Sequence, residues 1–342
     1  GGADGLREAS SAPPSGLMEV TRPEGTFAAR ETRVDVGRWA HGGWRLHEVD
    51  GAAAGTIARL ARDPGLAGLP LREAVYLDTE TSGLSGGAGV YVYMVGLGWF
   101  EGDEFVSWQG FLREPGEERA MLAAVAERLR AAPGMVSFFG KSFDRHRLED
   151  KMRIAGVEAP FDGLAHLDLY HPLRRLTQGT LPDGRLQTME RELLDFHRVD
   201  DLPGSLAPAA WFDFLADRPH RLEGVFEHNH HDVLSLAALA AYLGRAEDET
   251  RVDGEPLAGA PCQRAVALAE TAADEDEELR WIEAAFNRGA AGESRRRLQV
   301  RQAHLHRRAG RVDAARAAYR RGRVREGGPA PPRVRPDPQP GP

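Results

Sequence analysis

Cysteine is almost missing from this chain of 342 residues. The single Cys262 excludes an internal disulfide and any zinc site built on cysteines, and it fits a reducing compartment. Lysine is nearly as scarce: Lys141 and Lys151 are the only two, so positive charge is carried by arginine. A GC-rich coding sequence is the bland explanation of that bias. Apolar runs of the length needed to cross a bilayer, about eighteen residues or more, are absent. The opening GGADGLREASSAPPSG lacks the basic, then apolar, then small-residue order of an export signal. Neither a membrane span nor export is indicated, and a cytoplasmic protein is expected.

What is present is a globular composition, 42% hydrophobic and 28% charged. The length allows one large domain and a smaller one. The net charge of -8 is unevenly spread. Residues 295–325 hold twelve arginines against one acidic residue, a surplus of about 11 that leaves about -19 for the rest of the chain.

Residues 1–20 are rich in Gly, Ala, Ser and Pro and are expected to be disordered, as is the tail 327–342. Residues 21–70 contain strand-like pieces (TFAARETRVDV, GWRLHEV) and a helical pattern, AAAGTIARLARD, and are expected to pack as an extension on a central domain over residues 71–248. In that domain VYLDTE, GVYVYMVGLGWF and EFVSWQGFL read as three strands with short turns, an antiparallel meander. GEERAMLAAVAERLRAA has helical spacing, MVSFFG is a short apolar strand, SFDRHRLEDKMRIAG a helix and HLDLYHP another strand. RLQTMERELLDF, AAWFDFLAD and DVLSLAALAAYLGRA read as helices. The order predicts an α/β fold with a mixed sheet flanked by helices. From residue 255 to 326 only helices are expected. AHLHRRAGRVDAARAAYRRG has the small-residue spacing of one TPR-like helix-turn-helix unit.

The chemistry is concentrated in VYLDTETSGLSGG. Alternate side chains of a strand share a face, so Asp78 and Glu80 point the same way, roughly 7 Å apart. Two like charges at 4 Å repel by about 4 kcal/mol at an effective dielectric near 20. A hard divalent cation reverses that sign, since it prefers a few carboxylate oxygens and keeps positions open for water and phosphate. Taken alone, a DxE reads as the solvent end of a strand. Here FFGKSFD adds Asp144 at the start of a helix, and HNHHDVLSLAALAAYL adds Asp232 on another.

With LDTETSGLSGG, FFGKSFD, HLDLYHPLRRL, LQTMERELL and EHNHHDVLSLAAL in this order, residues 75–243 resemble the DEDD exonucleases of ribonuclease-H-like fold, and within them the YprB-like branch. The resemblance implies hydrolysis of phosphodiester bonds from a free 3′ end of single-stranded DNA or RNA, with two ions of Mg²⁺ or Mn²⁺. It implies Asp78, Glu80, Asp144 and Asp232 as metal ligands, with Asp78 bridging. Relatives carry a Tyr four residues before the last Asp or a His five before it; this chain has His228 four before and Glu227 five before. Residues i and i+4 share a helical face, so His228 is the expected general base, neutral at neutral pH. His230 and His231 are expected to be polar surface or helix-start residues.

Other candidates carry two readings each. Lys141 is either a phosphate contact beside the metals or a surface lysine. Asp168 is either a metal contact or a structural hydrogen-bond acceptor. Gly83, Gly86, Gly87 and Gly89 either let backbone approach a nucleotide end or make a tight connection. Gln187 and Thr188 are expected in helix packing and capping. The rival to a nuclease is a nucleic-acid-binding or scaffold protein with an inactive site. A third reading is an adaptor that meets a protein partner through its helical module.

Overall fold

The computed structural model describes residues 9–83, 89–251 and 254–323. Among the described residues, nine strands run in chain order: β1 (Met18–Arg22), β2 (Gly25–Asp35), β3 (Ala40–His41), β4 (Trp44–Arg45), β5 (Val75–Thr81), β6 (Val92–Glu101), β7 (Glu104–Phe111), β8 (Gly134–Ser137) and β9 (Ala165–Asp168). Seven of them form one mixed sheet in the order β1-β2-β7-β6-β5-β8-β9. The meander β5-β6-β7 is antiparallel, while β8 and β9 add in parallel on the far side of β5. β3 and β4 make a separate small hairpin.

The helices are α1 (Ala54–Ala61), α2 (Glu118–Arg130), α3 (Asp144–Ala155), α4 (Tyr170–Leu176), α5 (Leu186–Met189), α6 (Ala207–Leu215), α7 (Leu222–Gly244), α8 (Pro261–Glu270), α9 (Glu275–Asn287), α10 (Gly292–Arg308) and α11 (Val312–Arg323). A π-helical turn, Glu190–Leu194, continues α5.

Strand alternation sorts β5 between two cores. Val75 and Leu77 pack with α2, α3 and α6, whereas Tyr76 packs with α7. Asp78 and Glu80 continue the Tyr76 side and therefore face α7. That helix is buried on every side from Val233 to Leu243 and apolar there except for Ser235, as suits a helix enclosed by protein. It reaches the sheet closely because β6 is glycine there. A Cβ on Gly96 would lie 2.3 Å from Asn229 Oδ1, and one on Gly98 2.5 Å from Val233 Cγ1.

Three expectations change. Residues 9–20 are ordered rather than disordered: Ser10 exchanges backbone hydrogen bonds with His220, the Ser15 N–H donates to Glu223 at 2.9 Å, and β1 begins at Met18. Residues 1–8 and the tail 327–342 lie outside the described residues. Part of the segment 21–70 goes beyond packing on the sheet, because β2 pairs with β7 and is itself a sheet strand. The helix carrying Asp232 begins ten residues earlier than its apolar pattern, at Leu222.

The C-terminal helices α8 to α11 form a helical region whose Leu268, Trp281 and Ile282 join the α7 core. Its arginines are partly neutralised from within. Arg297 pairs with Glu270, Arg301 with Glu278 at 2.8 Å, and Arg308 with Glu275 at 3.0 Å. Among the described residues, no helix is long and apolar enough to cross a membrane.

Candidate metal and catalytic centre

Two elements build the centre. β5 projects Asp78 and Glu80, and α7 crosses that face with His228, Asn229 and Asp232. Ligand atoms of Glu80, His228 and Asp232 lie within 4.8 Å of one another. Asp78 is held beside them: its Oδ2 accepts from Asn229 Nδ2 at 2.8 Å, and Asn229 is oriented by Gln109, whose Nε2 donates to Asn229 Oδ1 at 2.9 Å. Burial, then the charges of Asp232, Asp144 and Glu80, raises Asp78 well above the usual carboxylate range, against the pull of Asn229. Burial also pushes Glu80 up to about 8, with the charges of Asp232 and Asp144 added and His228 opposing. Acidic groups converge here at a cost that protons or cations must relieve.

Asp144 stands to one side. It opens α3, and its Oδ1 accepts a hydrogen bond from Thr79 Oγ1, on the opposite strand face from Asp78 and Glu80. Burial pushes it up to about 6, with Asp168 and Asp232 adding to the rise and the bonds from Thr79 and the backbone opposing it. Its charge reaches the other carboxylates, but it is not one of the three residues clustered around Glu80.

His228 is not the neutral ring expected. Burial alone would depress it, but Asp232, the Asp201 hydrogen bond and Glu80 outweigh burial and push it up to about 9. Nδ1 lies 2.9 Å from Asp201 Oδ1 and Nε2 3.6 Å from Asp232 Oδ2. Asp201 is held in turn by Gln187, whose Nε2 donates to Oδ2 at 2.7 Å. Gln187 thus supports the histidine's partner rather than serving packing and capping. His230 and His231 are half-buried rather than surface residues. His230 bonds Ser107 Oγ at 2.8 Å and is pushed down to about 4, first by burial and then by His231 and Arg30. His231 lies 5.3 Å from the Phe196 ring.

The largest surprise is Arg198. Its guanidinium donates to Asp232 and to Glu190, with Nε 2.8 Å from Glu190 Oε2. Glu190 is fully buried in the π-helical turn and also accepts from Ser235 Oγ, which contacts His41 Nε2 at 2.7 Å. Sequence reasoning passed over Arg198, Glu190, Asp201 and Asn229. Asn229 had a signal, since it lies three residues before Asp232 on the same helical face.

The remaining candidates fall around the rim. Asp168 accepts backbone N–H bonds from Phe139 at 2.8 Å, Lys141 at 3.0 Å and Tyr170 at 3.0 Å, a structural clamp on the loop after β8. Lys141 Nζ is exposed and 3.3 Å from Asp63 Oδ2. The Gly83 carbonyl accepts from Thr81 Oγ1 at 3.2 Å, and a Cβ on Gly83 would meet, among the described residues, only Val90, at 3.8 Å. Among the described residues, a Cβ on Gly89 would have nothing within 4 Å. Gly86 and Gly87 lie outside the described residues.

The sequence model of the RNase H superfamily matches residues 75–244, from the first strand carboxylates to the end of α7. This part of the chain belongs to the RNase H superfamily. It is also 34% identical over 172 residues to the uncharacterized protein YprB of Bacillus subtilis (strain 168), an alignment covering 50% of this chain and 41% of that protein. Five strands of the mixed sheet, β5 to β9, the helices α2 to α7 and the facing carboxylates of β5 and α7 lie within the matched segment, while β1 and β2 precede it.

Proposed function

We propose that the protein is a divalent-metal-dependent exonuclease that hydrolyses single-stranded DNA or RNA from the 3′ end. The observation that carries this reading is that Asp78 and Glu80, on one face of the sheet, meet Asp232 of the helix that crosses it, with Asp144 to one side and within reach of their charge. The donor set suits Mg²⁺ or Mn²⁺: carboxylate oxygens, half-buried, with mutual repulsion that a cation relieves. Two such ions, held by Asp78, Glu80, Asp144 and Asp232, would supply charge stabilisation for an in-line displacement at phosphorus.

The chain's own residues account for the proton. Nε2 of His228 takes a proton from the attacking water as the new P–O bond forms and the bond to the 3′ oxygen breaks. Asp201 holds Nδ1 and so leaves Nε2 turned toward Asp232, the orienting role that a third group plays for a general base. The ring's raised affinity for protons comes largely from Asp232, Asp201 and Glu80. It falls when the charge of Asp232 and Glu80 is neutralised.

One observation favours a second reading, a nucleic-acid-binding or scaffold protein of weak activity. Arg198 already satisfies Asp232, so the carboxylate has a cationic partner without metal. The exposed arginines of α10 and α11, Arg296, Arg307, Arg320 and Arg321, would then meet nucleic acid or an acidic protein partner on a TPR-like surface. Incubation with 3′- and 5′-labelled single-stranded DNA and RNA, with Mg²⁺, Mn²⁺ or chelator, separates the two. Stepwise metal-dependent shortening from the 3′ end supports the exonuclease, and binding without shortening supports the second reading.

A further inference from the structure

Phe139 combines three features that packing does not explain. Its backbone is left-handed, with φ 62°, a conformation costly for a bulky L residue. The other described non-glycine residues with positive φ are Arg62, Asp195, Asp200 and Asp217, none of them aromatic, and Arg62 and Asp195 close helical turns. The Phe139 ring is 45% exposed although aromatic side chains are ordinarily buried. It also directly precedes Gly140, where a Cβ would lie 3.1 Å from Asp144 Oδ2. The loop that carries the exposed ring therefore borders Asp144.

The surroundings hold this ring in place. The Asp168 carboxylate binds the N–H groups of Phe139, Lys141 and Tyr170, fixing the loop on both sides of the strained residue. Tyr170 packs edge-on against Phe139 with centroids 5.0 Å apart and against Phe138 at 5.6 Å. Such a T-shaped contact supports the ring from its side. The exposed Lys141 adds positive charge two residues on. Strain kept in place by a buried carboxylate marks a functional position, and an exposed aromatic beside a cation is how single strands are held.

The geometry points to a stacking subsite: Phe139, braced by Tyr170 and Asp168, takes the unpaired terminal nucleobase of the strand whose end lies at the carboxylates. This rests on the nuclease reading and gives its single-stranded substrate a named contact, because a base paired in a duplex cannot turn onto the ring.

The test compares Phe139→Asn, Phe139→Trp and the parent, all in an Asp78→Asn background. Anisotropy is read on short 5′-fluorescein oligothymidylates that end in a normal or an abasic 3′ nucleotide. Asn accepts the left-handed backbone, so Phe139→Asn should melt no lower than the parent. It should bind the normal oligonucleotide about five- to a hundredfold more weakly. The parent should prefer the normal over the abasic end by a similar factor, a preference that Phe139→Asn loses and Phe139→Trp keeps. Equal affinity of Phe139→Asn and parent, with the end preference intact, overturns the subsite while leaving the nuclease reading untouched. Failure of the parent to bind either oligonucleotide, together with no hydrolysis by wild type, overturns both.

Discussion

Arg198 and Asp232 form an ion pair in the middle of the candidate metal centre, with the guanidinium only 6% exposed and shared with the buried Glu190. The cation does for Asp232 what a metal ion would do, but from the protein itself. Burial opposes the charge, yet Asp232 and Glu190 keep the guanidinium protonated. Removing one member of such a group strands the others. Arg198→Met should therefore destabilise the metal-free protein by about 3–5 kcal/mol. The double variant Arg198→Met/Glu190→Gln should recover much of that loss. Urea denaturation of the four proteins of this cycle checks it, and a loss of under 1 kcal/mol in the single variant would reduce the pair to a surface contact.

The carboxylates of β5 make the opposite prediction about stability. Asp78 faces three other acidic charges, so Asp78→Asn should leave the metal-free protein as stable as wild type or more so. Hydrolysis, where wild type shows it, should fall nearly to background. Thermal melts with chelator and with Mg²⁺ give a second readout: the wild type should gain stability from the metal, and the variant should gain much less. A fully active Asp78→Asn protein, freed of contaminating nuclease, would remove Asp78 from the centre.

Acid sensitivity should come in part from His166. Burial, then the positive charges of Lys141 and Arg145, pushes this ring down to about 3, and its Nε2 lies 2.7 Å from Ser137 Oγ. Its unfolded value is about 6.5. Between these two values the unfolded chain binds the proton and the folded one does not. The contribution is therefore intact above about pH 6.5 and is lost progressively as pH falls toward 3, at up to about 1.4 kcal/mol per pH unit. His166→Gln, which can still bond Ser137, should show a shallower fall in stability between pH 6.5 and 4 than wild type. Parallel slopes for the two proteins would contradict the burial argument.

Sequence and structure agree best where a local pattern carries the information. The alternation in VYLDTE put Asp78 and Glu80 on one face, and β5 has them on one face, the side of Tyr76. The composition of residues 9–20 suggested disorder because pairing with His220 and Glu223 is decided by partners about two hundred residues away, invisible to a window. The first turns of α7 were missed for a related reason. Asn229 and His230 turn inward on polar partners, Gln109 and Ser107, and so interrupt the apolar stripe between Phe226 and Val233. Arg198 left no periodic trace, since its acceptor Asp232 lies 34 residues on.

The last prediction concerns how the centre moves a proton. His228 shares a helical face with Asp232, and Asp201 and Gln187 stand behind it in a line of hydrogen bonds. Proton transfer by a positioned side chain contributes about a hundred- to ten-thousandfold, so His228→Ala should lower kcat by that order with metal binding largely kept. Asp201 acts on the proton through the ring, besides its contact with Arg198 at 3.6 Å, so Asp201→Asn should cost less than His228→Ala, and Gln187→Ala less again. Because the three act as a unit, Asp201→Asn placed on His228→Ala should add little. His230→Ala supplies the contrast. It removes a bond to Ser107 and opens space against the sheet, so it should lower the melting temperature while kcat per folded molecule stays near wild type. Single-turnover rates at saturating Mg²⁺, set beside melting curves, separate these effects. A larger rate loss in His230→Ala than in His228→Ala would move the proton acceptor off the face that Asp232 occupies.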